Sequence, residues 1–338
     1  MDEIQSHLSN ADPFQSWWPF IIAIGVGVVM TIKNFMGGQN SPSTNQINGQ
    51  IVVITGGSGI GFEITKELCS RGAHVIVATK DIKKCQEKLE IIKRQIPSAS
   101  VEVRHIDLKS FDCLKRFAKS VIKDFEKVDI LINNAGIIFN PFDKTVDGFE
   151  SHLQVNYLSH FLLSSLLLPL LKNATNGRII NVSAHANASG KVNIDDPLNI
   201  GQWAPAFHHR DAFAHSKLCV LLASIHLATV LKDTHVTVNT CTPGLVRGTD
   251  HLSKSPIMNA MCAKVITYPW MWLLMKSPTQ GAQTAIYLAT EPNLKTVSGQ
   301  YFNDCEKAEI NKDLCDGELA GVLFSRTLSA LKMDSFHQ

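Results

Sequence analysis

The short β-branched run Ile51–Thr55 ends directly in Thr55-Gly56-Gly57-Ser58-Gly59-Ile60-Gly61, and a helical pattern follows, with Ile64, Leu68 and Cys69 on one face. A strand that turns through glycines into a helix constrains everything after it. The helix packs back on the sheet, and the next strand joins parallel to the first by a right-handed crossover. The remaining sequence repeats this alternation. Strands are expected at residues 75–79, 101–106, 128–132, 178–182 and 236–240, and helices at 82–96, 111–125, 161–171 and 212–231. That pattern predicts an α/β fold, a doubly wound parallel sheet of Rossmann type, with a ligand at the carboxyl ends of its strands. Residues 161–171 are apolar all round, which implies a buried helix or a homodimer face.

Composition excludes several classes. With 45% hydrophobic and 18% charged residues in 338, a large core can form. A net charge of +2 without a long basic run argues against nucleic acid as partner. The eight cysteines form no C-x-x-C pair or zinc spacing, so no metal and no disulfide scaffold is expected, and a reducing compartment fits.

Residues 13–32 carry no charge and include Trp17, Trp18, Phe20, Ile21 and Ile22. About 20 apolar residues span a bilayer as a helix, and tryptophans suit its interface. The preceding residues are acidic, with Asp2, Glu3 and Asp12, unlike a cleaved signal peptide. The division expected is a tail at 1–12, a transmembrane anchor at 13–36, a linker at 37–49 and one domain from 50 to 338. Lys33 is the nearest positive charge and puts that domain on the cytosolic side of a single-pass anchor. The endoplasmic reticulum is the favoured membrane, the mitochondrial membrane the alternative. Asn173, Asn181 and Asn187 lie in glycosylation sequons that would matter only on the lumenal side.

The glycine loop lets backbone approach a pyrophosphate at a helix N-terminus, which points to a dinucleotide. Lys80 closes the second strand, where an acidic residue would grip a free ribose 2′-hydroxyl; a basic one suits a 2′-phosphate. Lys83 and Lys84 lie nearby. NADP(H) is the expected cofactor, NAD(H) the alternative.

Further motifs follow in order: Asp107-Leu108, Asn133-Asn134-Ala135-Gly136, Asp147-Gly148-Phe149-Glu150, Val155-Asn156-Tyr157, Pro243-Gly244 and Ser298-Gly299-Gln300-Tyr301-Phe302. With the glycine loop, they resemble the short-chain dehydrogenase/reductase superfamily, and within it the membrane-anchored retinol dehydrogenases, from about Gly49 to about Asp304. The resemblance implies an oxidoreductase of lipid alcohols or carbonyls. It implies cofactor contacts from Thr55, Gly56, Ser58, Gly59, Ile60 and Gly61. Lys80, Asp107, Leu108, Asn133, Ala135, Gly136, Lys217, Pro243 and Gly244 complete the implied cofactor set. It makes Asn156 and Lys217 the retained active-site positions.

Three positions depart from the family. Its tyrosine, four residues before the lysine, is Phe213; its second serine after Asn-Val is Ala184; and one residue is missing from the glycine loop. The four tyrosines are Tyr157, Tyr268, Tyr287 and Tyr301, none with a lysine four residues on, so no shift of register restores the pair. Without the phenol the proton donor is gone, a loss of about 10²–10⁴ in rate. The chain therefore reads as a degenerate, nucleotide-binding member of the family. The alternative is an active NADP-dependent oxidoreductase whose donor is another residue, with His185, His208, His209 and His215 in the same region. His215 is expected to point away from the face of Phe213. Residues 265–275, Val-Ile-Thr-Tyr-Pro-Trp-Met-Trp-Leu-Leu-Met, form an apolar lid in the family and suit a lipid-like ligand or the bilayer interface.

Overall fold

A computed structural model describes residues 17–200, 207–247, 269–310 and 316–336. The expected tail, residues 13–16 of the anchor and residues 265–268 of the lid fall outside these. Helix α1 is Trp18–Gly37. Its side chains are almost all exposed, its mean hydropathy is 1.8 over the best window, and it is a candidate membrane span.

The domain alternates β1 (Ile51–Thr55), α2 (Ile60–Ser70), β2 (His74–Thr79), α3 (Ile82–Gln95), β3 (Ser100–His105), α4 (Phe111–Asp124) and β4 (Ile130–Asn133). A helical turn at Ser151–Leu153 and a π-turn at Gln154–Leu158 lead into α5 (Ser159–Asn173). Then come β5 (Arg178–Val182), α6 (His209–Val230), β6 (Thr237–Thr242), α7 (Pro278–Thr290), β7 (Tyr301–Asn303), β8 (Glu306–Lys307) and α8 (Gly317–Ala330). The strands form one sheet in the order β3-β2-β1-β4-β5-β6-β7-β8, parallel except for the final β7–β8 pair. This is a Rossmann-type sheet, whose direction of winding reverses between β1 and β4.

Both faces are apolar because side chains alternate along a strand. Val53, Ile76, Leu131 and Val238 face α4, α5, α6 and α8, while Val52, Ile54, Val75 and Ile132 face α2, α3 and α7. The all-apolar helix α5 is buried within the single chain, between the sheet and α8. There Tyr157 Oη pairs with Thr327 Oγ1 at 2.7 Å, and Phe161 packs edge-on to Phe324 and Phe336. Six buried cysteines are free thiols.

The polar segment after α1 lies along the domain. Arg71 donates to the carbonyls of Ser43 and Asn45, the amide of Ser41 donates to Gln283, and Ile47 is buried. These contacts fix the end of α1 against the domain.

Candidate active site

The loops that follow β1, β3, β4, β5 and β6 all leave the same edge of the sheet, so the expected site residues converge although they span nearly 190 positions of sequence. Thr55, the last residue of β1, is the hub. Its Oγ1 accepts from the amides of Asn134 and Ala135, each at 3.0 Å. Both lone pairs are then used, so the hydroxyl donates to His160 Nε2, also at 3.0 Å. This fixes the neutral tautomer of His160, whose Nδ1–H donates to the Asn156 carbonyl at 3.1 Å. Burial, which dominates, and the nearby Lys217 charge outweigh the hydrogen bond and bring His160 down to about 4.

The glycine loop has the close packing a phosphate cradle needs. Gly56 has φ +87°, and a Cβ at Gly61 would fall 2.0 Å from the Gly56 carbonyl oxygen. The first turn of α2 has no side-chain cap at Gly59; the Gly61 and Glu63 amides donate to the Ser58 and Gly59 carbonyls, and the positive end of the helix still favours an anion there. The loop also packs closely on α3: a Cβ at Gly57 would lie 2.4 Å from Cys85 Sγ.

Lys80 is largely exposed, and its Nζ pairs with Asp107 Oδ2 at 2.9 Å. Burial raises the Asp107 carboxyl, but hydrogen bonds from Lys80 and the Lys109 amide and the Lys80 and His105 charges outweigh it and hold the group below its ordinary value. Leu108 is fixed through its carbonyl, which accepts from Ser159 Oγ at 2.6 Å. Asn133 Nδ2 donates to Ser164 and to Asn181 Oδ1.

The π-turn carries Asn156 inward. Its Oδ1 accepts from the Ile137 amide at 2.8 Å, and its Nδ2 donates to the Ile137 carbonyl and to Ser216 Oγ. Asn156 thus braces the loop beyond Gly136 against α6. Lys217, on the buried face of α6, reaches back to β5, where its Nζ donates to the Val182 carbonyl at 2.8 Å. Burial lowers its ammonium to about 8.

Phe213 is buried one turn before Lys217 and meets Phe139 edge-on at 5.7 Å. Ala184 follows β5 in extended conformation and is partly exposed. Its neighbour Ser183 faces the other way and donates to the Lys217 carbonyl at 2.9 Å. Pro243-Gly244 follows β6; Gly244 has φ +74°, and a Cβ there would lie 3.1 Å from Lys276. Of the four histidines, His215 points away: its Nδ1 meets the Lys191 carbonyl and its Nε2 faces Cys219. His208 and His209 stack at 5.1 Å, and His209 touches Phe139. His185 is exposed.

Two participants are absent from any sequence expectation. His160 lies four residues after Asn156, and that helical spacing was the available signal. Phe139 gave no signal, because only the turn after β4 sets its ring against Phe213.

Residues 50–194 match the model of the short chain dehydrogenase family. The chain is 35% identical to retinol dehydrogenase 13 of Homo sapiens, over 91% of this chain and 92% of that protein. It is 36% identical to retinol dehydrogenase 12 of Mus musculus, over 82% and 84%. Among solved structures it is similar to an uncharacterized protein from Mycobacterium paratuberculosis, at TM-score 0.68 and 27% identity, over 88% of this chain and 98% of that one. It is also similar to the Pseudomonas aeruginosa RhlG/NADP active-site complex, at TM-score 0.58 and 25% identity, over 76% and 95%.

Proposed function

This chain belongs to the short-chain dehydrogenase/reductase family and resembles its retinol dehydrogenases, and from that premise we propose that it is a membrane-anchored protein that binds NADP(H) and a lipid-like ligand with little or no oxidoreductase turnover. The glycine cradle, the helix N-terminus without a side-chain cap, Asp107-Leu108, Asn133, Ala135, Gly136, Lys217 and Pro243-Gly244 fit a nicotinamide dinucleotide. When bound, such a cofactor supplies a hydride; everything else in the family's reaction falls to side chains. Lys80 is the residue proposed to select a 2′-phosphate. Phosphate binding there has to compete with its existing ion pair to Asp107.

The observation that carries the reading is Phe213. The ring sits one turn from a buried lysine, as a tyrosine would, but it has no proton to give. Ala184 offers no hydroxyl to orient a substrate oxygen, and the Ser183 hydroxyl is already committed to the Lys217 carbonyl. Asn156 and Lys217 then act as braces of a binding site. The relatives named as retinol dehydrogenases support a retinoid or similar lipid as ligand. A second reading keeps the enzyme active and moves the proton donor to His209 or its neighbour His208; its support is the contact of His209 with Phe139, which packs on Phe213.

The deciding experiment is calorimetry with NADPH and NADH, paired with NADPH oxidation against retinal and other lipid aldehydes, on the purified full chain. The expected result is measurable binding, tighter for NADPH, with oxidation close to the enzyme-free rate. Brisk oxidation that His209→Ala abolishes would establish the second reading instead. No heat with either cofactor at millimolar concentration would overturn cofactor binding and implicate the shortened loop.

A further inference from the structure

The end of α1 is pinned to the edge of the candidate site. Lys33 Nζ donates to the Trp272 carbonyl at 2.8 Å and lies 3.7 Å from the centroid of the Trp272 ring. Arg247 Nη1 donates to the same carbonyl and to that of Met275, both at 2.9 Å. Two cations from distant parts of the chain therefore meet at one helical turn, residues 269–274. One residue beyond that turn is Met275, and the next, Lys276, donates its amide to the Leu245 carbonyl at 2.9 Å and pairs with Asp304. Leu245 directly follows Pro243-Gly244, so this turn borders the loop after β6.

The large exposed side chains of this turn share one face. Trp270 and Leu274 stand four residues apart, hence on the same side of a helix, and are 62% and 42% exposed. Leu245 beside them is 66% exposed. Met275 is buried and Met271 partly buried. An exposed tryptophan and two leucines next to two cations make an amphipathic patch of the kind that lies in a bilayer interface.

Depth follows from α1. The uncharged stretch ends at Ile32, and from Trp18 to Lys33 the helix rises only about 22 Å at 1.5 Å per residue. A hydrocarbon layer is about 30 Å thick. With Trp18 at the far interface, Lys33 therefore cannot stand clear of the near one. Trp272, in contact with Lys33, is held at that depth, and so is the turn that carries Trp270 and Leu274.

The geometry points to a second membrane contact: the turn at 269–274 with Leu245 beds in the lipid headgroup–acyl boundary beside α1, so that an apolar ligand enters the site from the leaflet without crossing water. From that depth Lys33 and Arg247 extend toward the headgroup phosphates, as long cationic side chains do. This rests on α1 being the membrane anchor.

The test uses the full chain in nanodiscs of phosphatidylcholine and phosphatidylserine. Nitroxide labels are placed singly through Trp270→Cys, Leu274→Cys, Ile24→Cys in α1 and Glu87→Cys on exposed α3, and each is scored by collision with lipid-soluble oxygen against a water-soluble nickel chelate. The oxygen-to-nickel ratio at 270 and 274 should exceed that at 87 several-fold and approach that at 24. If 24 is lipid-exposed while 270 and 274 behave like 87, the second contact is refuted and the anchor stands. If 24 also behaves like 87, the anchor reading fails, and the second contact with it. Position 274 serves as the independent reporter should Trp270→Cys fold poorly.

Discussion

In the proposed reading, Phe213 and Ala184 each retain nearly the shape of the family's residue and lack its oxygen. Restoring both hydroxyls tests whether the rest of the site is still built for the reaction. The double substitution Phe213→Tyr with Ala184→Ser is expected to raise carbonyl reduction by NADPH at least about a hundredfold, the low end of general acid–base contributions. Phe213→Tyr alone should give part of that gain, because the Lys217 charge one turn away favours ionisation of a phenol. Burial brings Lys217 to about 8, so this help should fade as pH rises above 8. Ala184→Ser alone should give almost nothing. If the natural chain already turns over briskly and the double variant is no faster, Phe213 is not the missing acid position.

At the scale of elements, the decisive tie is between β1, the turn after β4 and the π-turn before α5. His160 makes it by accepting from Thr55 and donating to the Asn156 carbonyl. A buried histidine held at about 4 refuses a proton that the unfolded chain takes up near its ordinary value of 6.5. Its depressed pKa therefore lowers stability as pH falls from 6.5 towards 4 and leaves it at its full value above 6.5. By linkage the loss at pH 5 is about 2 kcal/mol. Urea unfolding of the domain at pH 7 and pH 5 should show His160→Gln losing less stability over that interval than the natural chain. Equal losses in both would mean that His160 is not the titrating group. Helix α7 belongs to the same scale: Ser277 and Gln280 form a reciprocal capping box at its start, a signature that the sequence displays. The two-residue strand β8 has no such signature, since so short an edge strand exists only where β7 offers it a partner.

For the molecule as a whole, the proposal that α1 is a membrane anchor raises the question of which side of the membrane holds the domain. Of the three sequons, Asn181 is tied into the core through Asn133 and Ser224, and Asn187 is buried. Asn173 alone of the three is exposed, at the end of α5. It is therefore the reporter of topology. With the domain in the cytosol, Asn173 should stay unmodified in cells, and treatment with an N-glycosidase should not shift the protein on a gel. A glycosidase-sensitive shift lost in Asn173→Gln would put the domain in the lumen and reverse the orientation read from Lys33.

The sequence by itself determined the first six strands of the sheet and the order in which they alternate with helices, because alternating short apolar strands and amphipathic helices allow few arrangements other than a doubly wound one. It also marked Phe213, Ala184, Asn156 and Lys217 as the positions to examine, because these stand at fixed spacing within local motifs. Tertiary structure decided what those residues touch. That Ser183 donates its hydroxyl to the Lys217 carbonyl, that Lys80 is paired with Asp107, that Phe139 packs on Phe213 and that Lys33 of α1 meets Arg247 at Trp272 are contacts between segments far apart in the chain. The physical reason is that periodicity and motif spacing encode which face of an element is apolar and how a chain turns locally. Which side chains from separate elements meet depends on how the elements pack, and no local pattern records that.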